Sequence, residues 1–116
     1  MTEPSDLNTV FTARFNSGDA RAVTDLYEQD AVFHSSSGPV VGRDAIRAHY
    51  ADMLGSAPTI DSRLRQILTC GDLALLLSDW DFSSGSVTKT GVSIEVARRQ
   101  PDGTWKYAID EPDAQR

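Results

Sequence analysis

The first half of the chain has the periodicity of short helices. Apolar side chains recur every three or four positions in three segments, which predicts three helices with one buried face each. Asp19 can cap the second helix, and Gly42 opens the third. The three apolar stripes consist of Leu7, Val10, Phe11 and Phe15, then Ala22, Val23, Leu26 and Tyr27, and then Ala45, Ile46, His49, Tyr50 and Met53.

The second half changes to the alternation of apolar and polar residues that is typical of strands. A short strand over 31–34 and a turn-forming loop over 35–39 already separate the second and third helices. Turns rich in Gly, Asp, Ser and Pro then divide the rest into four predicted strands, at 59–69, 73–82, 87–99 and 104–110. This order predicts an α+β fold in which three helices cover one face of an antiparallel sheet.

Both faces of this sheet are too apolar to be left in water. The helices can cover only one face, which carries Trp80, Ser93 and Glu95. The other face carries Leu73, Leu75 and Leu77 on one strand and Val92, Ile94 and Val96 on the next. Because a second apolar face needs a second cover, we predict a homodimer that forms through the convex face of the sheet.

Composition excludes several classes of function. The 116 residues include 17 acidic and 11 basic side chains, a net charge of −6 that disfavours nucleic acid or an anionic membrane as a partner. The one cysteine, Cys70, allows no internal disulfide, and His34 and His49 lack metal-ligand spacing. The N-terminus lacks the features of a signal peptide, and the longest apolar run is too short to span a membrane. We therefore expect one cytoplasmic domain over 1–116, without a metal or cofactor.

Three segments carry a resemblance to a known superfamily. They are Gly18-Asp19 with Leu26-Tyr27 and Asp30–Phe33, then Gly42–Tyr50, and then Arg98–Tyr107 with Ile109-Asp110. In these segments the chain resembles the nuclear transport factor 2-like superfamily, and within it the polyketide cyclase-like SnoaL group of small bacterial domains. The resemblance implies a cystatin-like α+β cone, in which a curved antiparallel sheet wraps around three N-terminal helices and encloses a pocket. It implies no single activity, since the superfamily includes steroid isomerases, polyketide cyclases, dehydratases, epoxide hydrolases and members without catalysis.

The steroid isomerases offer the sharpest comparison, because they use a carboxylate base, a tyrosine and a protonated acid. By the resemblance, Ser35 lies at the position of the base, Phe11 or Phe15 at that of the tyrosine, and Glu95 at that of the acid. A serine without an adjacent base cannot abstract a proton from carbon. One of three roles is kept, so the resemblance disfavours a steroid-isomerase mechanism.

Glu95 and Asp110 are the candidate catalytic residues. Alternation points Glu95 into the cone, where a buried carboxyl group needs a partner or a raised pKa. Asp110 lies on one face with Lys106 and Ala108 and could reach Glu95, and two neighbouring carboxylates would make an acid beside a base. Alternatively, Glu95 pairs with Arg99 or Lys106, and Asp110 is a solvated strand end or caps a loop.

The other candidates would form an apolar pocket with a few hydroxyl groups. If Phe33 and Ser35 point inward, His34 points away from the pocket, and the opposite parity would bring it in. Trp105, Tyr107 and Ile109 share one face of the last strand, which indicates packing. The predicted ligand-binding residues are Phe15, Tyr27, Phe33, Ser35, Tyr50, Met53 and Trp80.

Together these residues predict a protein that binds a small, largely apolar organic molecule. The chemistry expected of Glu95 and Asp110 is that of a metal-independent isomerase, cyclase or hydrolase acting on a carbonyl, hydroxyl or epoxide compound. The alternative is a catalytically silent dimerisation or regulatory module whose pocket is filled by its own side chains.

Overall fold

Three helices pack against a curved six-stranded sheet in a computed structural model, which describes residues 2–114. The sheet order is β2-β1-β6-β5-β4-β3. The predicted α+β fold is confirmed. In chain order the elements are α1 (Ser5–Asn16), α2 (Ala20–Thr24), β1 (Tyr27–Ser35), β2 (Gly38–Val41), α3 (Arg43–Leu54), β3 (Thr59–Cys70), β4 (Leu73–Ser84), β5 (Val87–Arg99) and β6 (Trp105–Glu111).

The sheet is mixed, which corrects the expectation of a wholly antiparallel one. Strands β3 to β6 form the predicted antiparallel meander, but β1 pairs with β6 in parallel, with Phe33 opposite Asp110. No hairpin joins β1 to β6, because α3 and four strands lie between them in the chain, so their connection does not impose an antiparallel pairing. The parallel pairing brings the inward side chains of β1 next to those of β6.

The second helix is shorter than its apolar stripe predicts. Asp19 caps it as expected, accepting a hydrogen bond from Ala22 N at 3.0 Å, but the helix ends at Thr24. Tyr27 instead starts β1, where its carbonyl oxygen accepts hydrogen bonds from Arg43 Nε at 3.0 Å and Nη2 at 2.6 Å. Strand pairing and this guanidinium group therefore hold the backbone of Tyr27 in an extended conformation, although its spacing predicted a helix.

A bulge in β6 reverses the side-chain parity of that strand. Val96 on β5 pairs with Ile109, whereas the next β5 residue pairs with Tyr107, so Ala108 is the extra residue. Tyr107 is consequently buried, while Ile109 is exposed. The predicted common face for these two residues is wrong, and Asp110 points inward with Tyr107 rather than with Ala108.

Two asparagines fasten α1 to β3. Asn8 Nδ2 donates to Ser62 O at 2.9 Å, and Ser62 Oγ donates to Asn8 Oδ1 at 2.7 Å. Asn16 accepts a hydrogen bond from Ile60 N at 2.7 Å and donates to Ile60 O at 3.0 Å. Because β3 is an edge strand, these bonds hold α1 at the rim of the sheet, with its aromatic residues packed into the core.

An apolar row crosses all six strands on the opposite face of the sheet. The row is continuous, because each member is the register partner of the next. Four of its six side chains are exposed large hydrophobic residues, namely the two at the ends of the row, Ile109 in the middle and Leu75 on β4. In the order β2 to β3, the row is Val41, Val32, Ile109, Val96, Leu75 and Leu68.

Candidate functional site

The inner side of the sheet and the helices enclose a cavity of about 270 Å³. Ten of its sixteen lining residues are apolar, seven of them aromatic, and six are polar, which is the usual composition of a small-molecule site. The aromatic members are Phe11, Phe15, Phe33, Tyr50, Trp80, Phe82 and Tyr107. The other members are Asn8, Met53, Ile60, Ser62, Lys89, Ser93, Glu95, Asp110 and Pro112.

Glu95 and Asp110 lie side by side at the inner end of this cavity. They are register partners on β5 and β6, and both are buried, with 8% and 6% of their surface exposed. The alternative partners are engaged elsewhere, because Arg99 pairs with Asp72 and Lys106 Nζ donates to a backbone carbonyl. The two carboxyl groups therefore face the cavity rather than a cation.

A chain of hydroxyl groups holds Asp110. Tyr27 OH donates to Asp110 Oδ2 at 2.5 Å, and the hydroxyl oxygens of Tyr27 and Tyr50 are 2.7 Å apart. Since the single Tyr27 proton is given to Asp110, Tyr50 is the donor in the second bond. Tyr50 and Asp110 both line the cavity and Tyr27 lies behind them, so the chain connects two points of the cavity wall through the core.

Burial is the main cause of the raised pKa values of the two carboxyl groups. Loss of solvent raises the pKa of Asp110 to about 7, while the Tyr27 hydrogen bond lowers it and the charge of Glu111 raises it further. Burial also raises the pKa of Glu95 well above its ordinary value, with a further increase from the charge of Asp110 and a decrease from a hydrogen bond with Ser93. The pair thus keeps a proton near neutral pH that two exposed carboxyl groups would have lost.

The tyrosines around the pair stay protonated. Burial is the main cause that raises the pKa of Tyr27, Tyr50 and Tyr107 well above the ordinary value, and the neighbouring carboxyl charges act in the same direction. Each phenol is therefore a hydrogen-bond donor over the whole physiological pH range.

Trp80 forms the cavity wall next to a glycine. Its cross-strand partner is Gly91, and a Cβ atom at that position would lie 2.4 Å from Trp80 Cζ2. The indole Nε1, on the ring edge that lies against Gly91, donates to Pro112 O at 2.7 Å and so anchors the ring to the segment after β6. The indole therefore reaches across β5, and the absence of a side chain at position 91 makes this possible.

Five of the seven predicted ligand-binding residues line the cavity, and two do not. Tyr27 is fully buried behind the wall and acts on the cavity only through Tyr50 and Asp110. Ser35 is not in the lining, because its hydroxyl donates to Gly38 O at 2.8 Å in the turn between β1 and β2. The five that line it are Phe15, Phe33, Tyr50, Met53 and Trp80.

His34 lies on the other side of β1 from Phe33 and is half-exposed there. Its Nδ1 contacts a carboxylate oxygen of Glu111, on the neighbouring strand. The parity that turns His34 away from the cavity is the one that the structure adopts.

Several lining residues were not predicted from the sequence. Tyr107 was assigned to packing because strict alternation hides the β6 bulge. Asn8 and Ser62 carry a weaker signal, a polar residue within an apolar helix face and one within a strand. Nothing in the sequence indicated Lys89 as a lining residue, although alternation along β5 places it on the same face as Glu95.

Within residues 2–114, no three His, Cys, Asp or Glu side chains are grouped closely enough to hold a metal ion. No helix in that part of the chain has the length and apolarity needed to cross a membrane. The polar groups that the cavity itself offers are carboxyl, hydroxyl, amide and amino groups.

Solved structures of similar fold come from several bacteria. A protein of unknown function, NTF-2 like, from Shewanella oneidensis MR-1 has a TM-score of 0.82 and 22% identity, covering 93% of this chain and 97% of that one. A ketosteroid isomerase-like protein from Erwinia carotovora atroseptica has a TM-score of 0.77 and 18% identity over 91% and 88%. A domain of unknown function with a cystatin-like fold, from Nostoc punctiforme, has a TM-score of 0.76 and 16% identity over 90% and 70%. At these identities the likeness shows the fold alone.

Sequence comparison gives the family. Among curated proteins, none matches this chain at a significant level. The family model for the SnoaL-like domain matches residues 9–108, which run from the middle of α1 into β6 and include Glu95 but not Asp110. The chain belongs to the SnoaL-like domain family, within the nuclear transport factor 2-like superfamily.

Proposed function

We propose that this protein binds a small, largely apolar organic molecule in the cavity and moves a proton on it with Glu95 and Asp110. The observation that carries the proposal is the buried carboxyl pair at the inner end of an aromatic cavity. Buried carboxyl groups without a cation destabilise a fold, so a pair of them in a cavity is a typical sign of a functional site. A SnoaL-like domain fits small-molecule binding.

The two carboxyl groups divide the roles of acid and base. Asp110 accepts the Tyr27 proton in a hydrogen bond that favours its ionised form, which makes it the base. Burial and the neighbouring charge of Asp110 raise the pKa of Glu95, which favours its protonated form and the role of the acid. On a ketone, Asp110 would take a proton from the α-carbon while Glu95 gives its proton to the carbonyl oxygen, forming an enol. On an α-hydroxy ketone the same two transfers give an enediol. Asp110 then returns its proton to the former carbonyl carbon while Glu95 takes the proton of the other hydroxyl group, which completes an isomerisation.

The size of the cavity supports binding over the alternative of a pocket filled by side chains. A volume of about 270 Å³ is slightly below the range typical of drug-sized ligands, so it suits a molecule of one or two rings. The aromatic wall supplies the apolar contact, and the carboxyl pair is the polar group at its inner end.

We expect the protein to accelerate the exchange of α-hydrogens of 1-tetralone for deuterium in D₂O near pH 7. A positioned acid or base typically contributes about 10²–10⁴-fold, so Glu95→Gln and Asp110→Asn should each slow the exchange at least about 100-fold. Proton NMR of the ketone measures the rate. Asp30→Asn removes an exposed carboxyl group of β1 and should leave the rate unchanged.

Binding is measured in the same samples from the indole N–H resonance of Trp80, which lines the cavity. Tetralone that binds without exchange would contradict the acid–base role and favour a catalytically silent module. If tetralone does not bind, the proposal that the cavity binds small apolar carbonyl compounds is wrong.

We also propose that a second copy of the chain covers the apolar row on the convex face. The row is self-complementary under a two-fold axis, and ion-paired residues border it on both sides, with Arg65–Asp79 on one and Arg98–Glu28 on the other. Apolar side chains in the middle of the sheet and charged pairs at its borders are the usual arrangement of a protein interface.

Ile109→Glu should convert the dimer into a monomer. Ile109 is half-exposed at the middle of the row, so the change places a charge in the interface without disturbing the core. Light scattering coupled to size-exclusion chromatography measures the mass. Ala51→Glu, on the exposed side of α3, adds the same charge elsewhere and should stay dimeric. A monomeric wild type, or a dimeric Ile109→Glu variant, would show that this face is not the interface.

A further inference from the structure

We infer that the ligand carries an anionic group, such as a carboxylate, which Lys89 binds at the mouth of the cavity while the apolar body extends inward toward Glu95 and Asp110. This inference rests on the proposed function of the cavity and adds the chemical class of the ligand. It comes from the position of one amino group relative to the rest of the lining.

Lys89 is the cationic member of the lining, and it faces inward. It alternates along β5 with Gly91, Ser93 and Glu95, all on the concave side, and its register partner is Phe82 of the cavity wall. Unlike the carboxyl pair, Lys89 is exposed, so it lies where the cavity opens to solvent. One strand therefore carries an acid at its inner end and a cation at its outer end.

The ammonium group of Lys89 is available. Among the residues that the structure describes, no hydrogen bond or ion pair engages it. Most other cationic groups have a partner in the fold. Four arginines, Arg63, Arg65, Arg98 and Arg99, are in ion pairs, and the side chains of Arg14, Arg43 and Lys106 hold backbone carbonyl oxygens.

The charges along the cavity determine the orientation of the ligand. An anion at the inner end would meet the carboxyl pair, and its repulsion there is strengthened by burial. At the mouth it would meet Lys89, the one cationic group in a lining that otherwise carries two carboxyl groups. In a protein with a net charge of −6, this local cation also offsets the general repulsion of anions.

The length of β5 between these two ends limits the ligand. Lys89 and Glu95 are six residues apart, which corresponds to roughly 20 Å between their backbones in an extended strand. Both side chains are long, so their charged groups can lie closer together than their backbones. The indole of Trp80 lies over the strand between them, at Gly91. A short aryl or acyl body with an oxygen at one end and a carboxylate at the other fits this arrangement.

The test compares two probes that differ in one charge, 6-oxo-6-phenylhexanoate and its neutral primary amide. We expect wild-type protein to bind the carboxylate about tenfold more tightly than the amide at low salt, with the preference reduced at 0.5 M NaCl. Lys89→Met should abolish the preference and leave the affinity for the amide unchanged, and Lys89→Arg should keep it. Lys106→Met is the matched control, because it removes the same charge outside the cavity lining.

Each outcome separates this inference from the proposed function. If wild type binds both probes equally, or if Lys89→Met keeps the preference, the anionic class is wrong while the cavity still binds a ketone. If neither probe binds to wild type, the proposed function fails, and the inference fails with it. Isothermal titration calorimetry gives the affinities, and chemical-shift changes at Trp80 report whether the probe is in the cavity.

Discussion

Asp110→Asn should make the protein more stable than wild type at pH 8 and leave its stability nearly unchanged at pH 4. Asn and protonated Asp have almost the same shape, and both can accept the hydrogen bond from Tyr27 OH. The variant therefore differs from wild type mainly where Asp110 is ionised. The carboxylate is buried without a cation, so ionisation is a cost that the amide avoids.

The direction follows from the two pKa values of Asp110. Its pKa is 3.8 in an ordinary environment and about 7 in the folded protein, so between these values the folded state holds a proton that the unfolded state has released. The contribution of Asp110 to the unfolding free energy is therefore fully present below about pH 4. It decreases as the pH rises toward 7 and does not return above that pH. The raised pKa of Glu95 acts in the same direction.

The expected size of the effect is large for one substitution. At about 1.4 kcal/mol per pH unit, the interval between the two pKa values corresponds to roughly 4 kcal/mol of unfolding free energy. Urea unfolding at pH 4 and pH 8 measures it. Asp30→Asn, which removes an exposed carboxyl group of β1, should follow the pH dependence of wild type. A wild type that is equally stable at pH 4 and pH 8 would show that Asp110 ionises in the fold without cost.

The sequence allowed the carboxyl pair to be predicted, but part of the reasoning was wrong. Glu95 follows from simple alternation, since β5 runs from Gly91 to Ala97 without a bulge. Asp110 was placed inward by assuming that β6 also alternates, yet it points inward because of the bulge at Ala108. A bulge depends on how two strands meet, and the residues of one strand do not encode it in their periodicity.

Tyr27 shows a second limit of sequence reasoning. Its spacing from Val23 is that of a helix face, and the prediction of a hydroxyl near the site was made on that basis. In the structure, parallel pairing with β6 and the Arg43 side chain hold Tyr27 in a strand. The hydroxyl still reaches Asp110, because long-range pairing brings together residues 83 positions apart in the chain. Local periodicity carries no information about such a pairing.

Gly91 is the residue whose role depends most on a single contact. A strand glycine is usually replaceable by alanine, and β5 would gain a residue with less backbone entropy to lose. Here a Cβ atom would lie 2.4 Å from Trp80 Cζ2 and 2.7 Å from Cε2, so the indole must leave its position against the strand. That movement would also break the bond from Nε1 to Pro112 O.

Gly91→Ala should therefore lower the unfolding free energy by about 1–3 kcal/mol, which is the usual range for overpacking, and shift the indole N–H resonance of Trp80. In a Trp80→Leu background, the same Gly91→Ala change should be nearly neutral, because no ring lies against position 91. Urea unfolding of the four proteins gives the coupling energy between the two sites. Equal losses in both backgrounds would mean that the cost comes from the backbone of β5. A loss confined to the background with the indole would show that Gly91 is needed to seat Trp80 in the cavity wall.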